Sequence, residues 1–240
     1  ARYDSLEIHY ISVMMEMDSV AAFSEINSMK TYANKTQDKF LSVFADFLKV
    51  RYDGIGNRKS QNERYNSFKK IQEDLAKLSS TLLRDRLNAD LEYHLGGVLY
   101  KGNLMSKNTV THLLSADLFY RKIGYENVLF ADIKLSHLGL YYLDEVADYD
   151  SALKYMKEAE LYVDKDPIDK YRIEVYKTYA NCLVAKKQYS EAIKYNKLAI
   201  AQVRLKRDSL KIGTLSGNIG EIILNTFPNP IASEPYFQKE

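Results

Sequence analysis

A small residue recurs about every 40 positions in the second half of this 240-residue chain. Gly139, Ala180 and Gly220 lie 41 and 40 residues apart. An alanine follows each of them after twelve or thirteen residues, and another follows the first two alanines after seven. These alanines are Ala152, Ala192 and Ala232, then Ala159 and Ala199. Because close-packed helices cross at short distance only where small side chains meet, this spacing predicts stacked helix hairpins.

Helical periodicity extends along the whole chain. The apolar positions 40, 43, 44, 47 and 48, for example, follow the three-four spacing of one helix face. Only 10 glycines and 4 prolines are present, and no alternating apolar-polar run is bounded by turn residues, so we expect no strands. The predicted helices are 4–17, 19–32, 37–52, 61–78, 82–103, 107–123, 126–146, 149–163, 167–186, 189–205, 208–225 and 230 onward. Short polar residues predict helix starts at Asp18, Thr36, Ser106, Asp148, Asp166, Asp208 and Asn229.

Twelve such helices form six hairpins of about 40 residues each. The sequence therefore predicts an all-α protein, a right-handed α-solenoid of about six antiparallel helix hairpins. Residues 1–80 are predicted to form degenerate hairpins, and residues 81–240 the more regular repeats. The last repeat is cut at residue 240, and a solenoid normally ends in a repeat with a polar outer face. We therefore expect the natural protein to continue with further repeats or an output domain.

The repeat resembles the tetratricopeptide repeat. Residues 138–142 lead to 148–153, and residues 179–183 lead to 188–193, each pair following that family's pattern of small and aromatic positions. A third copy runs from 218–221 to 231–236. The period near 40 exceeds the family's period of about 34, which implies longer helices. Lys187 stands where the family has a turn glycine, and the first copy has one extra residue in its turn.

The resemblance also implies a binding surface. In tetratricopeptide proteins the first helix of each hairpin lines a concave groove that receives an extended peptide or a helix. The corresponding residues here are Glu174, Lys177, Asn181, Asn218 and Glu221. Lys177, Asn181 and Asn218 resemble three members of the carboxylate clamp by which some members hold a peptide's C-terminus. The two asparagines also occur in the generic repeat, where they fix the backbone, so both interpretations stay open.

Nothing in the sequence predicts catalysis. The four histidines, His9, His94, His112 and His137, form no metal-binding pair in sequence, and we interpret them as structural or surface residues. The single cysteine, Cys182, is interpreted as a buried, inert thiol. We therefore predict no enzyme activity, no catalytic residue, no metal site and no cofactor.

Charge and hydropathy limit the partners further. The chain has 34 basic and 32 acidic residues without a basic block, so no direct nucleic-acid contact is expected. It has no apolar run of the roughly 18 residues that a membrane span needs. One cysteine allows no internal disulfide. The compartment is left open between bacterial cytoplasm and periplasm.

These observations favour a protein- or peptide-binding role. Arrays of long-helix, degenerate repeats resemble the N-terminal sensor regions of bacterial signalling proteins, which places the chain as the sensing or interaction region of a larger regulatory protein. The alternatives are a stand-alone assembly scaffold or co-chaperone, and a peptide-pheromone receptor. The sequence beyond residue 240 would separate them.

The register of the repeat predicts that Ala180, Ala192, Ala199 and Gly220 are buried at helix–helix contacts and that Lys186, Lys187 and Lys194 are exposed. It also makes a stability prediction at Ala192. Ala192→Leu should overpack the predicted helix crossing and lower the free energy of unfolding by about 1–3 kcal/mol, measured by urea denaturation. Lys194, predicted to face solvent, provides the control, and Lys194→Leu should change stability by less than about 0.5 kcal/mol. An unchanged stability of Ala192→Leu would show that the proposed register is wrong.

Overall fold

The computed structural model describes residues 2–15, 18–55, 59–101, 107–165, 169–205, 209–226 and 235. Over these ranges every regular element is helical and no strand occurs, which confirms the predicted all-α class. The chain divides into two compact units, unit 1 covering residues 1–125 and unit 2 covering residues 126–240. The division predicted at residue 80 concerns repeat regularity rather than compactness, and it stays a prediction.

Unit 1 contains six helices in its described residues, and each packs against the next. In addition, α1 packs against α3, and α3 against α5, so alternate helices form a common layer. The helices are α1 (Arg2–Met15), α2 (Ser19–Thr36), α3 (Lys39–Ile55), α4 (Gln61–Ala76), α5 (Leu82–Lys101) and α6 (Lys107–Ile123).

Aromatic rings fill the centre of unit 1. Phe47 of α3 and Phe68 of α4 are fully buried, with ring centroids 6.2 Å apart. The imidazole of His94 on α5 packs against both rings, at 5.6 Å from Phe47 and 5.9 Å from Phe68. His94 is therefore a core residue, in agreement with its structural interpretation.

Unit 2 continues the hairpin pattern with five described helices. In this unit α7 packs against α8 and α9, α9 packs against α10, and α10 packs against α11. The helices are α7 (Ala131–Tyr141), α8 (Tyr149–Glu160), α9 (Asp169–Ala185), α10 (Tyr189–Leu205) and α11 (Ser209–Thr226). The predicted helix from residue 230 onward, with Ala232, lies outside the described residues except for residue 235.

Most predicted helix boundaries agree with the structure to within about four residues. The exception is the helix predicted from residue 126, because α7 begins only at Ala131. The preceding residues Tyr125–Asn127 form a 3₁₀ turn, and Phe130 adopts a left-handed conformation with φ 56° that separates this turn from the helix.

Short polar side chains begin several helices. The predicted cap Asp18 accepts a hydrogen bond from the Val20 amide, and Asp148 accepts one from the Ser151 amide, which confirms both caps. The start predicted at Thr36 is wrong, because Thr36 is the last residue of α2. The carboxylate of Asp38 performs that role instead, accepting from the Leu41 amide at 3.0 Å. Ser106, Asp166, Asp208 and Asn229, the other predicted starts, lie outside the described residues.

In two hairpins, a glycine lies where the two helices cross in close contact. A Cβ atom on Gly139 of α7 would lie 2.7 Å from Met156 Sδ and 3.3 Å from the carbonyl oxygen of Ala152 on α8. A Cβ atom on Gly96 of α5 would likewise lie 2.9 Å from the Leu113 side chain of α6, and 3.3 Å from the carbonyl oxygen of residue 109. Both glycines meet residues 13 and 17 positions later, so α5 and α6 repeat the crossing of α7 and α8.

The alanines that follow the crossings are buried in every described hairpin of the repeat. Ala116, Ala159 and Ala199 come seven residues after the crossing positions of α6, α8 and α10, and each is at most 1% exposed. The predicted burial of Ala180, Ala192 and Gly220 is likewise confirmed.

Three lysines were expected on the surface. Lys187 and Lys194 are exposed, as expected. Lys186 is half-buried instead, because its Nζ pairs with Asp150 Oδ1 of the preceding hairpin at 2.8 Å.

The turns between the two helices of each hairpin explain the extra residue of the first copy. After α7 the chain widens into a π-helical turn, Tyr142–Val146, that takes up one additional residue. Both this turn and the one after α9 then end in a left-handed residue, Ala147 at φ 55° and Lys187 at φ 59°. At the second turn the Lys187 amide donates to the Val184 carbonyl at 2.8 Å. Lys187 therefore adopts the left-handed conformation that is expected of the family's turn glycine, although it carries a side chain.

Lys187→Gly should stabilise the protein. A left-handed conformation costs a non-glycine residue about 1–2 kcal/mol, so glycine should raise the free energy of unfolding by about 1 kcal/mol in urea denaturation. Ala185→Gly, two residues earlier inside α9, should instead lower it by about 0.5–1 kcal/mol. If Lys187→Gly were as destabilising as Ala185→Gly, backbone strain at this turn would be excluded.

Candidate binding surface

Three of the five predicted binding residues form a stripe along α9. Glu174, Lys177 and Asn181, here called the polar stripe, are spaced by three and four residues and therefore share one helix face. Glu174 and Asn181 are exposed, and the side chain of Lys177 is 44% exposed. The Lys177 Nζ lies 3.8 Å from Glu174 Oε2 and forms a loose ion pair.

The other two predicted residues lie on α11. Asn218 is half-buried and Glu221 is exposed, three residues further along the same helix. Both α9 and α11 pack against α10, so the two sets of side chains belong to helices that share a neighbour. Their convergence in one groove stays a prediction.

A buried tyrosine pair packs α9 against α10. The ring centroids of Tyr179 on α9 and Tyr195 on α10 are 4.1 Å apart with the ring planes tilted by 31°, and both residues are buried. The Tyr195 hydroxyl donates to Glu160 Oε1 at the end of α8 at 2.6 Å. Burial, followed by this carboxylate, raises the pKa of Tyr195, so the hydroxyl keeps its proton and the bond persists. Three helices are thus joined at one point, which limits rotation of α9 about its axis.

The single cysteine is buried in α9. Burial raises the pKa of Cys182 to about 12, so the thiol is protonated at neutral pH. Because the thiolate is the reactive form, this environment suits the predicted inert thiol.

A buried polar network in unit 1 was missed by sequence reasoning. The imidazole Nδ1 of His112 on α6 lies 2.5 Å from Glu92 Oε2 on α5, and Gln72 on α4 donates to Glu92 Oε1 at 2.5 Å. The Gln72 amide also donates to Asn88 Oδ1 at 3.3 Å. Gln72, Glu92 and His112 are each 20 residues apart, which equals one helix and turn in this part of the chain. This 20-residue spacing could have revealed the network from the sequence, but only once the register of the three helices was known.

The network joins the three helices α4, α5 and α6. Burial by itself would raise the pKa of Glu92, but the hydrogen bonds from His112 and Gln72 outweigh it and lower the pKa.

Among the described residues, no group of three or more His, Cys, Asp or Glu side chains could hold a metal ion. Also within these ranges, none of the helices is both long and apolar enough to cross a membrane.

Comparison with known proteins supports the fold. No family model matches the chain, and no curated protein sequence matches it. The crystal structure of aspartyl phosphate phosphatase F from Bacillus subtilis is similar, with a TM-score of 0.55 and 15% sequence identity. The match covers 98% of this chain and 61% of that one, so the chain spans less than two thirds of its neighbour's length. Identity this low indicates a shared helical fold and transfers no activity.

The buried network predicts a pH dependence of stability. The folded-state pKa of Glu92 is lowered, so its carboxylate stabilises the fold fully above the unfolded-state pKa, and this contribution is lost as the pH falls through the folded-state pKa. Glu92→Gln should therefore lower the free energy of unfolding at pH 7 by about 1–3 kcal/mol. The difference from the wild type should shrink between about pH 5 and pH 3 in urea denaturation.

Glu73→Gln, at an exposed position of α4, is the matched control. It should change the free energy of unfolding by less than about 0.5 kcal/mol, both at pH 7 and across the acidic range. A difference between Glu92→Gln and wild type that stayed constant with pH would mean that the charge of Glu92 does not stabilise the network.

Proposed function

We propose that this chain is a non-catalytic protein- or peptide-binding module, the sensing or interaction region of a larger bacterial regulatory protein. The observation that carries the proposal is the polar stripe on α9, which combines a cation, an anion and an amide on one exposed helix face. Its resemblance to the groove residues of tetratricopeptide proteins gives the expected ligand, an extended peptide or a helix.

The charges of the stripe are available to a ligand. The Lys177–Glu174 pair is long and solvated, and such surface pairs contribute about 0–1 kcal/mol, so exchanging Glu174 for a ligand carboxylate costs little. The amide of Asn181, one turn further along the helix, can donate to and accept from a peptide backbone. These groups favour a ligand with an acidic side chain or a free C-terminal carboxylate.

The rigidity of α9 adds to the argument. Binding is tighter when the recognising groups are already ordered, because less conformational entropy is lost on association. The Tyr179–Tyr195 contact packs α9 on α10, and the Tyr195–Glu160 hydrogen bond ties α10 to α8, so the stripe is presented in one orientation. A helical-repeat architecture supports the same role, since stacked hairpins build extended surfaces for partners.

The structural neighbour is named for acting on aspartyl phosphate, a modified protein side chain, which is in keeping with a protein partner for this chain. A stand-alone scaffold or co-chaperone and a peptide-pheromone receptor are the alternative roles for the same surface. The proposal of a non-enzymatic role rests on the raised pKa of the Cys182 thiol and on the solvated, loosely paired groups of the stripe.

Lys177→Ala provides the test. Peptides selected against the protein from a random library with free C-termini should bind Lys177→Ala roughly tenfold more weakly, because one charge-assisted hydrogen bond is lost. The variant should keep its unfolding free energy within about 0.5 kcal/mol. Titration calorimetry measures the first quantity and urea denaturation the second.

Lys197→Ala on α10 is the control, since this lysine is exposed and lies outside the stripe. Amidating the C-terminus of the selected peptide should weaken binding to the wild type and change little in Lys177→Ala. Equal affinity of Lys177→Ala and Lys197→Ala for the selected peptides would place the ligand elsewhere and refute the proposed surface.

A further inference from the structure

The exposed face of α2 carries large apolar side chains at both of its ends. Val20 is 75% exposed and Tyr32 is 61% exposed. They lie 12 positions apart, which is about 18 Å along a helix. An open crevice of about 850 Å³ extends along the helix between them, and its lining residues in the described part of the chain all belong to α2. Exposed apolar surface that is continuous along a helix is typical of an interaction site.

The charged residues in the middle of α2 are turned away from this face. Glu25 Oε1 lies 2.9 Å from the Nδ1 atom of His9 on α1, and Lys30 forms an ion pair with Asp46 on α3. The third charged residue of the helix, Lys35, lies in its last turn. The exposed face is therefore uncharged over its first four turns. Solvent-facing helix surfaces normally carry charges, whereas the buried centres of protein interfaces are depleted in them.

Small polar residues line the middle of the crevice. The Ser28 hydroxyl donates to the Ser24 carbonyl of the same helix at 2.8 Å, so covering it leaves no donor unsatisfied. Asn27, which is exposed between them, carries both a donor and an acceptor, so two copies of this amide can hydrogen-bond to each other. A second helix can therefore cover the middle of the face closely and at little cost in desolvation.

The pattern of this face is symmetrical about residue 26. Val20 and Tyr32 each lie six residues from it, and Ser24 and Ser28 each lie two residues from it. A two-fold axis brings one surface against an identical surface, so an interface between two copies of a chain requires this kind of self-complementarity. The symmetry of the face favours a second copy of α2 as its occupant.

Charges of opposite sign lie at the two ends of the face. Asp18, whose carboxylate accepts from the Val20 amide at 2.9 Å, and Lys35 are both exposed. An antiparallel copy brings Asp18 of one chain towards Lys35 of the other, and this pairing occurs twice. It also places the positive end of one helix dipole beside the negative end of the other. A parallel copy would instead oppose identical charges, so the charges favour the antiparallel orientation.

We propose that the exposed face of α2 is a self-association surface, on which a second copy of this chain packs its own α2 antiparallel about a two-fold axis near residue 26. Val20 of each copy then contacts Tyr32 of the other, and Asn27 lies beside its own counterpart. One helix from each copy buries less than the roughly 1,200 Å² of a standard interface, so we expect a weak dimer with a dissociation constant on the order of 10–100 μM. The surface lies in unit 1 and the polar stripe in unit 2, so this inference does not depend on the proposed function.

Sedimentation velocity tests the association. Between about 1 μM and about 500 μM protein, the weight-average mass of the wild type should rise towards twice that of the monomer. Val20→Glu places a carboxylate against the Tyr32 ring of the other copy and should raise the dissociation constant at least about tenfold. Leu118→Glu on α6 is the matched control, because Leu118 is 70% exposed, and this variant should associate like the wild type. Circular dichroism checks that both variants are folded.

Cysteine cross-linking with a short bismaleimide tests the register. Asn27→Cys should cross-link to its own counterpart, because the two-fold axis passes beside it. Val20→Cys alone should not, since its two copies lie about 18 Å apart along the antiparallel helices, but a mixture with Tyr32→Cys should cross-link. Leu118→Cys gives the background rate, and the native thiol of Cys182 is buried.

A wild type that stays monomeric up to about 500 μM would overturn the proposal and leave the face to a different partner. Equal dissociation constants for the wild type and Val20→Glu would also overturn it, because the copies would then associate through another surface. Cross-linking of Val20→Cys alone as fast as that of Asn27→Cys would exclude the antiparallel arrangement.

Discussion

The two helices of a hairpin approach closely only where a small residue, glycine in two hairpins and Ala180 in a third, lies between them, and the rest of the repeat depends on that approach. Gly139 allows Met156 and the Ala152 backbone to reach α7, and Gly96 allows the same between α5 and α6. Once these contacts are made, the register of the second helix is set. The alanine seven residues later must then be buried, and it is buried in the hairpins α5–α6, α7–α8 and α9–α10.

This register also decides which side chains remain on the surface. In unit 2 the small and aromatic faces of α9 are used for packing, and the tyrosine pair Tyr179–Tyr195 with Glu160 fixes the rotation of the helix. The polar stripe lies on the face of α9 that is left exposed to solvent. Unit 1 uses its helices differently, because polar groups enter the packing as the network around Glu92 and as the seated guanidinium of Arg64. Buried polar groups of this kind restrict helix register more strongly than apolar contacts do, because each needs a specific partner.

Much of the fold could be predicted from local pattern. The spacing of Ala152, Ala192 and Gly139 identified the crossings in unit 2, and helix periodicity with polar caps located most boundaries. The failures have physical causes. Thr36 and Asp38 are both acceptable caps, and only the backbone course selects Asp38. The crossing of α5 and α6 is harder to identify from the sequence, because Thr109 and Leu113 stand where α8 has Ala152 and Met156.

The all-helical class, the hairpin period and the small residues at the crossings can be inferred from the amino-acid sequence, because these depend on neighbours within one or two helices. The pairing of His112 with Glu92 and the burial of Arg64 against Gly54 become visible only in the folded protein. Each such contact requires residues on different helices to lie at the same height along the helix axes. That height depends on the rotation and the axial shift of each helix. Periodicity gives the face of a helix that is buried, but not which distant polar atom it will meet there.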